Sequence, residues 1–391
     1  MFIKREITPV LIQFSQFFPV VALLGPRQSG KTTLVQEIFK EYHYINLENL
    51  DILASALDDP RGFLERLLDY KGVIIDEFQN APDLLSYLQV IVDRQKRPGF
   101  FILTGSQNFL MNQAIGQSLA GRVGILTLLP LSFKEIFDAR LQSDLSDVAL
   151  FKGCYPRIFA PNALSPNYIY PSYIQTYLER DVRTISKVAD LTLFKKFLGL
   201  CAGRVGQLLN VSALASDCAI SIPTVQAWLS ILQASYIIFL LQPHHVNFNK
   251  RLIKSSKLYF YDTGIACSIL GIDNVMQLQQ HYMRGALFEN FIIADIAKQF
   301  FNQAKNPPIY FWRDSHGHEV DCIVEQGAKL LPIEIKAGMT FHTSFLDGIQ
   351  YWQELSGNKD GLLIYGGNES LHSKGIDIES WKHFDVVKRT G

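Results

Sequence analysis

Residues Gly25-Pro26-Arg27-Gln28-Ser29-Gly30-Lys31-Thr32 stand between an apolar run, Val20 to Leu24, and a helix-like segment, Thr33 to Lys40. A G-x-x-x-x-G-K-T turn joining a strand to a helix reads as a P-loop, which commits the surrounding chain to an α/β sheet. The chemistry sets the spacing. Glycines let backbone N–H groups turn inward around the β- and γ-phosphates, Lys31 neutralises phosphate charge, and the Thr32 hydroxyl reaches Mg²⁺. The following helix, with Thr33 in its first turn, points its N-terminus at the anion. Gly25 through Thr33 is therefore the expected binding segment for ATP with Mg²⁺. The competing reading is a glycine-rich strand-to-helix turn with no ligand.

Short apolar runs then alternate with helical patterns: Tyr44 to Leu47, Gly72 to Ile75, Phe100 to Leu103 and Ile125 to Leu129. This alternation predicts a parallel sheet covered on both faces. The Gly72 run ends in Asp76-Glu77, so two carboxylates stand at the C-terminal end of a buried strand, where open α/β sheets bind ligands. Asp76 is expected to hold Mg²⁺, directly or through water, and Glu77 to polarise the attacking water as general base. After the Phe101 strand, Thr104 or Ser106 can sense the γ-phosphate or orient water; a polar strand-to-loop turn is the alternative.

At 391 residues the chain is too long for one core, and about 150 residues per domain gives two or three. A hydrophobic share of 48% supports folded domains, and zero net charge provides no global field for nucleic acid, so such a contact needs a local patch. The cysteines Cys154, Cys201, Cys218, Cys267 and Cys322 follow no metal-ligand spacing, which fits free thiols in a reducing cytoplasm. Neither a signal peptide nor a membrane span is expected.

GPRQSGKTTL (25 to 34), YINLE (44 to 48), IIDEFQNAPDLL (74 to 85), LTGSQ (103 to 107), SLAGRV (118 to 123) and LPLSFKE (129 to 135) together resemble a prokaryotic AAA-type ATPase family. Its members join an N-terminal P-loop domain to a C-terminal domain of restriction-endonuclease-like type. The resemblance implies the additional-strand P-loop arrangement, with Lys31, Thr32, Asp76 and Glu77 in the roles above. It also implies that Gln79 and Arg122 belong to the nucleotide site or to a subunit interface, Arg122 as a candidate arginine finger in a homo-oligomer; a solvated arginine is the rival reading. One departure is Cys154 in GCYPR (153 to 157), where relatives tend to have a second glycine.

Four parts follow: a P-loop domain over 1–138, a helical lid or connector over 139–190, a winged-helix-like module over 191–261 and a nuclease-like domain over 262–391. The connector ends in the charged cluster Glu179, Arg180, Asp181 and Arg183, read as an ion-pair face, with Arg180 and Arg183 as alternative phosphate contacts. From Gln207 to Asn249 the winged-helix pattern holds Asp217 as its only acid and no Lys or Arg, so it lacks the phosphate attraction that dominates DNA affinity. A structural or interdomain role is favoured over base contacts from Thr224, Gln226 and Ser230. If DNA is held here, Lys250, Arg251, Lys254 and Lys257 are the residues to hold it.

In the last part, Glu289 lies in an apolar helix, where a carboxylate is expensive unless paired or metal-bound. Asp321 and Glu334-x-Lys336 lie on neighbouring strands. With a turn centred on Gln326-Gly327, Asp321 faces Pro332 and lies diagonal to Glu334, at roughly 7 to 8 Å. Such a pair can hold a divalent ion, with Glu334 and Lys336 as catalytic groups and Glu289, Asp321 and Glu334 as metal ligands. The set resembles the PD-(D/E)xK nuclease pattern, again as the family implies; Gln350 and Tyr351 can line the site, with core packing as the alternative for Tyr351. Two functions are thus in play. One is a cytoplasmic, Mg²⁺-dependent ATPase coupled to a nuclease-like domain acting on DNA. The other is a nucleotide-switched regulatory or protein-binding module with an inert nuclease-like scaffold.

Overall fold

The computed structural model describes residues 2–106, 119–178, 191–244 and 254–390. Two sheets organise these residues. The first contains β1 (Val20–Gly25), β2 (His43–Asn46), β3 (Val73–Asp76), β4 (Phe101–Ser106) and β5 (Val123–Thr127), in the order β2-β3-β4-β1-β5 with every pairing parallel. β4 is inserted between β1 and β3, which is the additional-strand arrangement. Every residue of β1 is buried, and its side chains alternate between two cores. Val20, Ala22 and Leu24 join Phe63, Leu88 and Phe101 on one face, while Val21 and Leu23 join Leu11, Leu34 and Leu126 on the other. This two-faced burial explains why the strand is a continuous apolar run and not an alternating one.

The second sheet is mixed. Its strands are β6 (Ile238–Pro243), β7 (Lys257–Phe260), β8 (Ile309–Arg313), β9 (Glu319–Gln326), β10 (Lys329–Lys336), β11 (Leu362–Tyr365), β12 (Leu371–Ser373) and β13 (Ile376–Ser380). Their order is β12-β13-β11-β10-β9-β8-β6-β7. The expected domain boundary at 261/262 therefore cuts one sheet, because β6 and β7 precede it and β6 pairs with β8, which follows it. One apolar core runs from Leu129 through Phe194, Trp228 and Phe260 to Val387, so the connector, the winged-helix-like part and the C-terminal part share their interior.

Two helices, Val211–Cys218 and Ile222–Ala234, are joined at Ala219, whose φ is 56°. Asn210 and Ser221 cap the two helices by accepting from Ala213 N at 2.9 Å and Thr224 N at 3.2 Å. Trp228 packs its ring against Phe194 and Phe197, with centroids 5.2 and 5.3 Å away, so the second helix buries its aromatic residue inward. Gly153, before Cys154, has φ 64°, and a Cβ there would lie 2.2 Å from the Tyr170 hydroxyl. Cys154 itself is buried with a side chain in place, so the first glycine of that turn is the one the packing requires. All five cysteines are free and buried.

Candidate functional site

The C-terminal edge of the first sheet gathers the P-loop, Asp76, Glu77 and the end of β4. At the loop, Gln28 and Gly30 adopt φ of 60° and 96°, which turns the backbone into the first turn of the Lys31–Ile38 helix. Gly25 is a glycine for a different reason: a Cβ there would sit 2.1 Å from the Leu128 carbonyl oxygen. Lys31 Nζ donates to the carbonyls of Gly25 and Pro26 at 3.0 and 2.8 Å, so its buried ammonium rests on the loop. Arg27 pairs with Glu48 at 3.8 Å.

Asp76 is the hub. Its Oδ2 accepts from Thr32 Oγ1 and from the Tyr44 hydroxyl, each at 2.8 Å. Its Oδ1 accepts from Thr104 Oγ1 and, at 3.1 Å, from the Glu77 amide. Thr104 is thereby tied to Asp76, and Ser106 faces another partner. Glu77 takes a left-handed backbone with φ 53°. Gln79 Nε2 donates to the Glu77 carboxylate and to Ser106 Oγ at 3.2 Å, so Gln79 links the expected base to the end of β4. Tyr44 was missed in the sequence because its strand reads as apolar core. Burial, reinforced by Asp76, pushes its phenol well above the ordinary range, so it stays a donor.

Arg5 was also missed. It is 4% exposed and donates to Ser29 O at 2.7 Å, Leu129 O at 2.6 Å and Glu135 Oε1 at 3.0 Å. Glu135 also closes a capping box with Ser132. One buried guanidinium thus joins the P-loop to the segment after β5. From there Leu131 O accepts from Lys298 Nζ at 3.1 Å and the Phe133 amide donates to Asp295 at 2.6 Å, both on the Arg284–Phe301 helix. Beside the P-loop a cavity of about 220 Å³, mostly apolar, is lined by Phe2, Ile3, Thr33, Leu34, Pro156 and Phe159 among others.

Arg122 is not in the nucleotide site of its own chain. It precedes β5 at the N-terminal edge of the sheet, where its carbonyl accepts from Val20 N at 3.3 Å, and its guanidinium makes a bidentate pair with Asp93 at 2.6 and 2.8 Å. Within this chain Arg122 is a surface arginine paired with Asp93, as the rival reading has it, and a finger role would need a neighbouring subunit. Gln107, Glu179, Arg180, Asp181, Arg183, Lys250 and Arg251 lie outside the described residues.

The C-terminal carboxylates do come together, with a changed register. β9 and β10 pair Pro332 with Ile323 and Ile333 with Cys322 across a two-residue turn at Gly327-Ala328, where Gly327 has φ 62°. The turn is one residue later than expected, and the next step puts Asp321 opposite Glu334, not Pro332. Asp321 accepts from Ile335 N at 2.8 Å and lies 3.7 Å from Lys336 Nζ, while Lys336 also pairs with Glu334. The second oxygen of Glu334, Oε2, is buried without a hydrogen-bond partner. Burial raises the Glu334 acid, and the charge of Asp321 adds to the effect. Glu289 is raised by burial too; its carboxylate accepts from Tyr259 and pairs with Lys257 Nζ at 3.2 Å.

Lys257 corrects the expected cationic patch. It is 3% exposed and committed to Glu289 and Glu319, whereas Lys254 is exposed. The metal-ligand expectation for Glu289, Asp321 and Glu334 also changes: among the described residues no three His, Cys, Asp or Glu side chains form a group that could hold a metal ion. Tyr351 stacks on His318 at 3.9 Å and Gln350 accepts from Lys374 at 3.2 Å, so both engage neighbours other than these carboxylates. No helix among the described residues is long and apolar enough to cross a membrane.

Comparison with known proteins adds the following. A family model described as AAA domain matches residues 18–137. Two models described as domains of unknown function match 143–275 (DUF8612) and 284–383 (DUF4143). Rv2008c of Mycobacterium tuberculosis is 31% identical over 325 residues, covering 82% of this chain and 71% of that protein. Mb2031c of Mycobacterium bovis matches with the same figures. Among solved structures, the Walker-type ATPase PABY2304 of Pyrococcus abyssi superimposes with a TM-score of 0.40 at 15% identity, covering 68% of this chain and 94% of that one.

Proposed function

Because this chain belongs to the AAA-domain protein family that includes Rv2008c of Mycobacterium tuberculosis, we propose that it binds ATP with Mg²⁺ and hydrolyses it at the P-loop. The observation that carries this reading is the Asp76 hub, where a carboxylate and the Thr32 hydroxyl stand 2.8 Å apart beside the Lys31 ammonium. A hydroxyl and a carboxylate are the oxygen donors Mg²⁺ takes, so Thr32 and Asp76 fit the ion as holders, directly or through water. The ion would neutralise charge building on the phosphates.

The remaining roles belong to the chain. The loop from Gly25 to Thr33 wraps the phosphates with N–H donors, and Lys31 leaves its carbonyls to pair with them. Glu77, steered by Gln79, removes a proton from the attacking water, while Thr104 holds Asp76 and Ser106 anchors Gln79. The nucleoside takes the apolar cavity beside Thr33. Replacing Lys31 by Ala tests the whole reading. Nucleotide affinity measured by calorimetry should fall at least about ten-fold and hydrolysis should be lost; wild-type affinity in that variant rules the reading out.

The use of hydrolysis is rearrangement of the C-terminal domain through the 129–135 segment and the Arg284–Phe301 helix. Two outputs compete: a nuclease that acts on DNA, and a regulatory scaffold without catalysis. Lys257 among the carboxylates, together with a helix-turn-helix that packs its tryptophan inward, favours the scaffold. DNA-stimulated hydrolysis together with metal-dependent cleavage that Asp321→Asn abolishes would favour the nuclease instead.

A further inference from the structure

The carboxylates of the second sheet are offered a cation from within the chain. Lys257 opens β7 at the sheet edge, yet its side chain is 4% exposed. Its ammonium stands 3.2 Å from Glu289 Oε1 on the Arg284–Phe301 helix and makes an ion pair with Glu319 at the start of β9. Tyr259, two residues along β7, donates to the same Glu289 oxygen. Next to this group Lys336 spans Asp321 and Glu334, and Arg313 meets the other Glu319 oxygen at 3.1 Å. Each acid of the cluster is thus matched by a lysine or an arginine.

Divalent ions need several oxygens converging at about 2.0 to 2.6 Å. Here each acid is paired with a basic side chain, and no metal-binding group of three forms among the described residues. A lysine ammonium is a compact point charge with three donors, so among carboxylates it does part of what a metal ion does, but it is tethered and cannot be exchanged. Burying it costs desolvation, which only close acids offset. Its position at full burial between a helix-borne and a strand-borne carboxylate is therefore not that of an ordinary surface lysine.

We infer that Lys257 is the resident cation of this acidic cluster, supplying through its ammonium the charge compensation that a divalent ion would otherwise supply, so that the cluster takes up a divalent metal only when Lys257 is removed. With a neutral side chain at 257, Glu289 and Glu319 lose their shared cation, and Glu334 Oε2 already lacks a partner. The latent ligand is a hard divalent cation held by carboxylate oxygens.

The test is Mn²⁺ titration of the full-length, nucleotide-free protein by calorimetry and electron paramagnetic resonance. Wild type and Lys257→Arg should show no Mn²⁺ binding that depends on Asp321. Lys257→Met should gain one saturable site, at least about ten-fold tighter than any in wild type, and adding Glu289→Gln or Asp321→Asn should remove it. Asp321-dependent Mn²⁺ binding by wild type overturns the inference, as does a Lys257→Met protein with wild-type circular dichroism and no gained site. Should Lys257→Met fail to fold, Lys257→Gln keeps a hydrogen-bonding side chain without the charge and is read by the same criteria. ATP hydrolysis by the same preparations reports on the P-loop alone, so a failure of the nucleotide reading is seen separately.

Discussion

Asp76 on one sheet and Asp321 with Glu334 on the other are all nearly buried, at 3%, 8% and 7% exposed, but their partners differ in kind. Asp76 is held by hydroxyls, from Thr32, Tyr44 and Thr104, and by one amide. The C-terminal acids, besides an amide on Asp321 and a hydroxyl on Glu289, are held by ammonium and guanidinium groups. Hydroxyls orient a carboxylate without adding a positive charge beside it, which suits the Mg²⁺ proposed for this site. Basic side chains cancel the carboxylate charge and compete with any ion that arrives. Two acidic clusters thus differ in their surroundings, as the proposals of ligand exchange at one and a resident cation at the other require.

The largest effect is expected where the first cluster does chemistry. Glu77→Gln should retain nucleotide binding and lose about a hundred-fold or more in turnover, because only the proton acceptor is removed. Steady-state hydrolysis measured alongside binding checks this; unchanged turnover takes the base away from Glu77 and blurs the contrast between the two clusters.

Next in size is Arg122, which the first cluster lacks in its own chain. With a neighbouring subunit contributing it, Arg122→Ala binds ATP normally and hydrolyses it about a hundred-fold more slowly or worse, and mixing with Lys31→Ala protein partly restores turnover. Mixed oligomers that form without rescue would leave Arg122 a structural partner of Asp93.

The second cluster should show itself in stability, not in rate. Burial raises the acids of Glu334 and Glu289, so the folded chain keeps protons that the unfolded chain has already released. Stability therefore falls as pH rises from the ordinary carboxylate range through these raised values, by at most about 1.4 kcal/mol per pH unit for each group. Urea midpoints between pH 5 and 8 should decline, and Glu334→Gln, which mimics the protonated acid, should flatten the slope. A slope unchanged in that variant would mean Glu334 is ionised throughout.

The smallest effect concerns Gln79→Ala. Freed from its tie to Ser106, Glu77 should still accept protons but be oriented less often, which lowers turnover by roughly three- to ten-fold with nucleotide affinity unchanged. A loss as large as that in Glu77→Gln would make Gln79 part of the chemistry.

The nucleotide side was legible because its information is local. Glycine spacing, Lys31-Thr32 and a strand ending in Asp76-Glu77 are each contiguous in sequence, and parallel packing then brings their ends to one edge. Arg5 and Tyr44 were not legible, since one is half of a Lys4-Arg5 pair ahead of an apolar stretch and the other sits in a run that reads as core. What reveals them is a partner 130 residues away in one case and 32 in the other. Lys257 misled for the same reason: beside Lys250, Arg251 and Lys254 it looks like one of a surface group, and only its place at the head of the fully buried β7 separates it from them. The β9–β10 turn slipped by one residue because Gln326-Gly327 and Gly327-Ala328 both offer a glycine to a tight turn, and sequence cannot choose between them.

The interior that runs from Leu129 to Val387 has a consequence for how such a chain is inherited. A protein assembled from separable beads can trade one bead for another and stay folded. Here a break at 143 or 284, where the matched segments begin, would expose faces of Phe133, Phe194, Phe260 and Phe291 that have no other cover. The segments after the P-loop domain thus share one interior, so a change in packing volume in one is felt by the other.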